Sequence, residues 1–136
     1  MAQIMQKDAI IQQVIHLAEL DPRIEIVWIY GSRAKLTAQE NSDYDFAVAF
    51  ATMPMNSWDK RLQSELLALE WSERLNLPEK KLSVADINQV PLMLAMGIIT
   101  TGNVLLVKNG LRLAREENRI TSMWEIDYKY HLQHYG

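Results

Sequence analysis

The chain is most constrained between residues 24 and 50. Ile24-Glu-Ile-Val-Trp-Ile-Tyr30 is a β-branched and aromatic run, the composition of a strand buried on both faces or nearly so. Gly31-Ser32 breaks it, and Asp43-Tyr-Asp-Phe-Ala-Val-Ala-Phe50 reads as a second strand that opens with two carboxylates. Side chains alternate along a strand, so Asp43 and Asp45 project from one face and Tyr44 from the other. The segment predicts strand, small-residue turn and strand, with an acidic pair at the mouth.

Two neighbouring carboxylates raise each other's cost of ionisation, and a divalent cation removes that cost. Mg²⁺ suits the position, because it prefers hard oxygen and shares its shell with substrate phosphates. Asp-x-Asp alone is a weak signal that more often marks a solvent-facing acidic pair, and Gly-Ser alone fits an ordinary turn. Flanking one strand–turn–strand unit, the two are more specific. Gly31 permits the close backbone approach a phosphate needs. The Ser32 hydroxyl and nearby N–H groups can donate to phosphate oxygens, and a helical turn starting here adds a favourable field. Ser42 fits a plain turn role, or a local side-chain bond shaping the entry to Asp43. A third acid is the natural further requirement. Asp86, in Ser83-Val-Ala-Asp-Ile87, joins the pair if its strand lies beside residues 43–50, either in the metal shell or as a proton acceptor. The alternative is a loop-start or N-cap aspartate ahead of Pro91.

The rest of the chain completes an α/β pattern. Ile4, Ile11, Val14, Ile15 and Ala18 predict a helix over 4–20, closed by Asp21-Pro22. Ser57 is the expected cap of a helix over about 58–75, with Trp58, Leu62, Leu66 and Leu69 as its apolar stripe and Trp58 and Trp71 in the core. A strand at 81–87, a helix from Pro91 to about Ile99, a strand from Asn103 to Val107, a turn at Asn109-Gly110 and a terminal helix over about 111–133 follow. This order predicts a mixed β-sheet flanked by helices, in one domain over residues 1–136. The 136 residues carry a net charge of −3 with no basic run, which argues against broad nucleic-acid binding. The chain has no cysteine, which excludes disulfides and zinc–thiolate sites. No stretch approaches the roughly 20 apolar residues of a membrane span. A cytoplasmic setting is expected.

The segments Ile29-Tyr-Gly-Ser-Arg-Ala34 and Ser42-Asp-Tyr-Asp-Phe46 resemble the minimal nucleotidyltransferases of the DNA polymerase β-like superfamily. The Gly-Ser-x10-Asp-x-Asp pattern is similar to that of the nucleotidyltransferase antitoxins paired with HEPN-domain toxins. Lys35 stands where the family usually has a glycine. The resemblance implies a polymerase β-like fold, with Gly31 and Ser32 holding the triphosphate of ATP. It implies Asp43 and Asp45 as ligands of two Mg²⁺ ions, roughly 3.5–4 Å apart in such sites, with Asp86 as the third carboxylate. It further implies that a hydroxyl attacks the α-phosphorus of ATP, pyrophosphate leaves, and AMP stays on the acceptor.

The resemblance implies that larger relatives append a domain for the acceptor, and 136 residues are expected to leave no room for one. The resemblance implies that a cognate HEPN ribonuclease toxin, held in a hetero-oligomer, presents a tyrosine hydroxyl, and that one or several AMP units neutralise it. Two alternatives stand beside this: an antitoxin that blocks its partner by binding alone, and a transferase acting on a small molecule such as an aminoglycoside. Near the C-terminus, Trp124, Tyr128, Tyr130, His131, His134 and Tyr135 crowd together and suit a partner surface. The competing expectation is that Ile120, Trp124, Tyr128 and Leu132 pack onto the protein's own core. His131 and His134 lack the companions a metal site needs.

Overall fold

A computed structural model describes residues 8–35, 37–39, 41–78 and 80–135. The elements run α1 (Ala9–Leu20), β1 (Ile24–Tyr30), a 3₁₀ turn (Gly31–Arg33), β2 (Tyr44–Phe50), α2 (Ser57–Arg74), β3 (Leu82–Asp86), α3 (Leu92–Thr101), β4 (Asn103–Val107) and α4 (Gly110–Tyr135). The four strands form one mixed sheet in the order β3-β2-β1-β4. β1 pairs antiparallel with both β2 and β4, and β2 pairs parallel with β3 through the α2 crossover.

Helices cover both faces, which explains why the central strands are apolar at nearly every position. Val27 and Ile29 of β1 and Phe46, Val48 and Phe50 of β2 pack with α1 (Ile11, Val14, Ala18) and α2 (Leu67, Trp71). On the other face, Ile26, Trp28, Ala47 and Ala49 pack with Ala95 and Ile98 of α3 and Ile120 of α4. The small alanines of β2 let α3 and α4 approach on that side, whereas its two phenylalanines fill the other.

Local signals set the ends. Asp8 caps α1, its carboxylate accepting from the N–H groups of Ile10 and Ile11, and Asp21 closes the helix. The expected start at Ile4 lies outside the described residues. The α2 cap is Asn56, whose side-chain oxygen accepts from the N–H of Trp58 at 2.8 Å, and not Ser57, which is the first helical residue.

The buried stripe of α2 also differs from expectation. Trp58, Leu66 and Leu69 are 65%, 60% and 58% exposed, while Leu67 and Trp71 are buried and Trp71 meets Phe46 edge-on. The helix carries more apolar residues than its contact with the sheet can bury, so counting them chose the wrong face. Trp71→Ala is expected to lower stability by about 3–5 kcal/mol, and Trp58→Ala by no more than about 0.5 kcal/mol. Urea unfolding of the two variants checks this.

The terminal helix packs mainly through its first half, with Trp124 half-buried just beyond it. Ile120 is buried, whereas Ile126, Tyr128, Tyr130 and Leu132 are more than half exposed. Packing of Tyr128 and Leu132 onto the protein's own core is therefore not seen. Among the described residues, no helix is long and apolar enough to cross a membrane.

Candidate active site

The β1–β2 pairing brings the glycine–serine turn and the acidic pair together. Tyr30 stands opposite Asp45 in the ladder, so the residue that follows, Gly31, lies against the Asp45 carboxylate. Gly31 has φ +72°, a left-handed conformation that favours glycine. A Cβ there would stand 2.5 Å from Asp45 Oδ2. Backbone conformation and space both require glycine. The turn is then tied down by Lys35 N–H donating to the Gly31 carbonyl at 3.3 Å and Thr37 N–H to the Ser32 carbonyl at 3.0 Å.

Asp43 is exposed and sits one residue ahead of β2, while Asp45, inside the strand, is half-buried. Asp45 alternates onto the face that carries Ala47 and Ala49, and the same alternation carried one residue back assigns Asp43 to that side. The parallel register places Ser83 of β3 directly beside Asp45, and its hydroxyl donates to Asp45 Oδ1 at 2.8 Å. The Tyr30 hydroxyl belongs to the same cluster. Burial, and then the charge of Asp45, push it above the usual tyrosine range, while a hydrogen bond with Ser83 draws it back in part.

Arg33 fixes the other side of the turn. Its guanidinium donates to the Ser42 carbonyl at 2.8 Å, lies 3.8 Å from the centroid of the Tyr44 ring and pairs with Asp8 at 3.5 Å. Tyr44 donates to the same Asp8 carboxylate at 2.9 Å. Its hydroxyl is pushed up to about 12, first by burial and then by that bond and the charge of Asp8. The chain from α1 through Asp8 and Arg33 to Ser42 therefore fixes the residue immediately before Asp43. Ser42 also shapes the loop as expected, its hydroxyl accepting from Gln39 N–H at 2.8 Å. The positioning role of Arg33 had no signal beyond its place after Gly-Ser.

Asp86 does not join the pair. In the parallel ladder it stands beside Val48, three residues past the Ser83–Asp45 position, or about 10 Å along the strand. It is in phase with Leu82 and Val84, whereas Asp45 pairs with Ser83 of the opposite phase. Asp86 is 2% exposed and accepts from the N–H of Asn88 at 2.9 Å, in keeping with the loop-start alternative. Burial pushes its carboxyl above the usual range, and the Asn88 bond and Arg112 offset part of that. Arg112 in turn donates to the carbonyl of Phe50, the last residue of β2. Asp86 thus belongs to the opposite end of that strand.

His131 and His134 lie on the exposed end of α4, His131 3.8 Å from Asp127 and His134 stacked on Tyr130. Among the described residues, no three His, Cys, Asp or Glu side chains converge to hold a metal ion. The donor chemistry of Asp43 and Asp45 nevertheless suits Mg²⁺, which is commonly held by one or two carboxylates together with substrate phosphates. Because Gly31 has no Cβ, the turn closes against Asp45 Oδ2 without a clash.

Residues 12–110 match the family model for polymerase beta, nucleotidyltransferase. Among solved structures, a toxin–antitoxin with AMP-PNP superposes with a TM-score of 0.71 at 18% identity, covering 93% of this chain and 94% of that one. A tri-AMPylated Shewanella oneidensis HEPN toxin in complex with its MNT antitoxin is similar at a TM-score of 0.65 and 17% identity, over 98% and 94% of the two chains. The toxin–antitoxin MntA–HepT gives 0.64 at 18% identity, over 90% of each. These likenesses establish the shared fold. No curated protein matches the chain.

Proposed function

Because the chain belongs to the polymerase β nucleotidyltransferase family, we propose that it is an antitoxin that transfers AMP from ATP to a tyrosine hydroxyl of a HEPN-domain toxin. The observation that carries this reading is the seating of left-handed Gly31 against Asp45, with Asp43 exposed two residues ahead of it in the chain. A turn without side-chain bulk beside two carboxylates is the arrangement a triphosphate and its cation need. The nature of the partner is supported by the fold shared with antitoxins in complex with HEPN toxins, and successive additions by the tri-AMPylated toxin in one such complex.

In this reading Gly31 and Ser32 hold the triphosphate through backbone N–H groups and the Ser32 hydroxyl. Asp43 and Asp45 hold Mg²⁺, which when bound supplies Lewis-acid stabilisation of phosphoryl charge. Arg33, by gripping the Ser42 carbonyl, keeps Asp43 at the mouth of the turn. The tyrosine oxygen bonds to the α-phosphorus, the bond from that phosphorus to the bridging oxygen breaks, and pyrophosphate leaves. The phenolic proton passes to solvent. The exposed half of α4, with Ile126, Tyr128, Tyr130 and Leu132, offers the partner an apolar surface with tyrosine anchors.

The test is intact-mass spectrometry of the HEPN partner after incubation with this chain, ATP and Mg²⁺. Adenylyl increments on a partner tyrosine are expected. An unmodified but still neutralised partner overturns transfer in favour of blocking by binding. Adenylylation of an aminoglycoside by this chain alone favours the small-molecule alternative.

A further inference from the structure

The third strand brings a hydroxyl, not an acid, to the mouth of the site. Ser83 stands beside Asp45 in the parallel ladder and donates to Asp45 Oδ1 at 2.8 Å. A serine hydroxyl has a single proton, and with Tyr30 protonated its donation is to Asp45. The bond fixes the plane of the carboxylate, while Oδ2 remains on the side of Gly31. We infer that Ser83 is a positioning residue in a two-carboxylate cation site, where it orients Asp45 and leaves the remainder of the cation's shell to the phosphates of the nucleotide.

Charge and position both support the inference. With serine at this corner, Asp43 and Asp45 supply two negative charges where three carboxylates would supply three. Asp86 cannot make up the difference, because it is buried beside Val48 and held by Asn88. A hard divalent cation is bound more tightly as its site gains anionic oxygens, so this chain on its own is a weak cation binder. The triphosphate adds the missing negative oxygens and makes cation binding conditional on nucleotide. The cation site at Asp43 and Asp45 and this last step rest on the proposed transferase reading. Ser83 is exposed, so a longer side chain fits there without displacing the core.

The experiment is titration of Mn²⁺, a spectroscopic stand-in for Mg²⁺, followed by electron paramagnetic resonance with and without AMP-PNP. Without nucleotide, Ser83→Asp is expected to bind Mn²⁺ at least tenfold more tightly than wild type. With AMP-PNP, Ser83→Ala is expected to weaken Mn²⁺ binding about tenfold, the size of one lost hydrogen bond to a charged group, and Ser83→Thr to restore it. Equal nucleotide-free affinity of wild type and a folded Ser83→Asp overturns the inference. If Ser83→Asp does not fold, the Ala and Thr variants decide, and equal affinities of wild type and Ser83→Ala overturn it. A wild-type chain that binds no AMP-PNP at saturating Mn²⁺ refutes the transferase reading instead, while the nucleotide-free comparison still decides the role of Ser83.

Discussion

Asp45→Asn is expected to reduce AMP transfer about a thousandfold while Asp86→Asn leaves it within about twofold of wild type. The first figure corresponds to losing about 4 kcal/mol of transition-state stabilisation at about 1.4 kcal/mol per tenfold, within the several kcal/mol that a bound cation contributes at a phosphoryl centre. Asparagine keeps the shape of Asp45 and an oxygen to accept from Ser83, but it removes the charge that a divalent cation requires. At Asp86 the same substitution also keeps an acceptor for the Asn88 N–H, and no part of the Gly31–Asp45 cluster is touched. Burial raises the folded-state pKa of Asp86 above its ordinary 3.8. Its favourable share of stability is therefore complete below that value and is lost as pH rises through the folded-state pKa. At neutral pH the ionised carboxylate is a cost, so Asp86→Asn is expected to hold or raise the melting temperature. Initial rates of partner adenylylation at saturating ATP, set beside thermal melts, measure both variants. A thousandfold loss at Asp86 would return that residue to the chemistry.

The difference between these two aspartates shows how far the residues alone could lead. The place of Asp45 at the start of β2 was legible because the apolar run behind it marks the strand and alternation fixes its face, whereas Asp43, read as part of that strand, lies one residue ahead of it. Gly31 was legible because an apolar run stops there. Asp86 required the register of a second strand, which the α2 crossover sets and no local pattern reveals. A partial signal existed, since Asp86 is in phase with Leu82 and Val84, both buried, whereas Ser83 is the polar member of the opposite phase. The α2 stripe failed for a related reason. Apolar residues occur around much of that helix, and only its contact with Phe46 and the rest of the sheet selects Leu67 and Trp71. The strand Asn103–Val107 was found at its observed limits because a β-branched and leucine-rich run lies between Gly102 and the Asn109-Gly110 turn. Arg33 combines a carbonyl and a ring from the entry to β2 with a carboxylate from the start of α1, and its sequence neighbours reveal none of them.

The second large effect is expected far from the carboxylate pair. Arg112→Ala should lower stability by about 3–5 kcal/mol, the cost of removing one partner from a buried ion network. The side chain is 18% exposed and joins three parts of the fold. It donates to the Phe50 carbonyl at 2.8 Å, to Asn88 Oδ1 at 2.7 Å and to Glu116 Oε1 at 3.2 Å. Alanine leaves the Phe50 carbonyl without this donor and Glu116 with Asn88 and Arg119. Burial acts to raise the Glu116 carboxyl, but the bonds from Asn88, Arg119 and Arg112 hold it below its ordinary 4.5. A depressed acid stabilises the fold fully above its unfolded value and loses that contribution as pH falls through the folded-state pKa. The gap between wild type and Arg112→Ala should therefore be widest near neutral pH and narrow below about 4.5 as Glu116 takes up its proton. Urea midpoints across that range supply the measurement. A gap that stays constant with pH would mean that Arg112 acts through the Phe50 carbonyl and its packing, and not through Glu116.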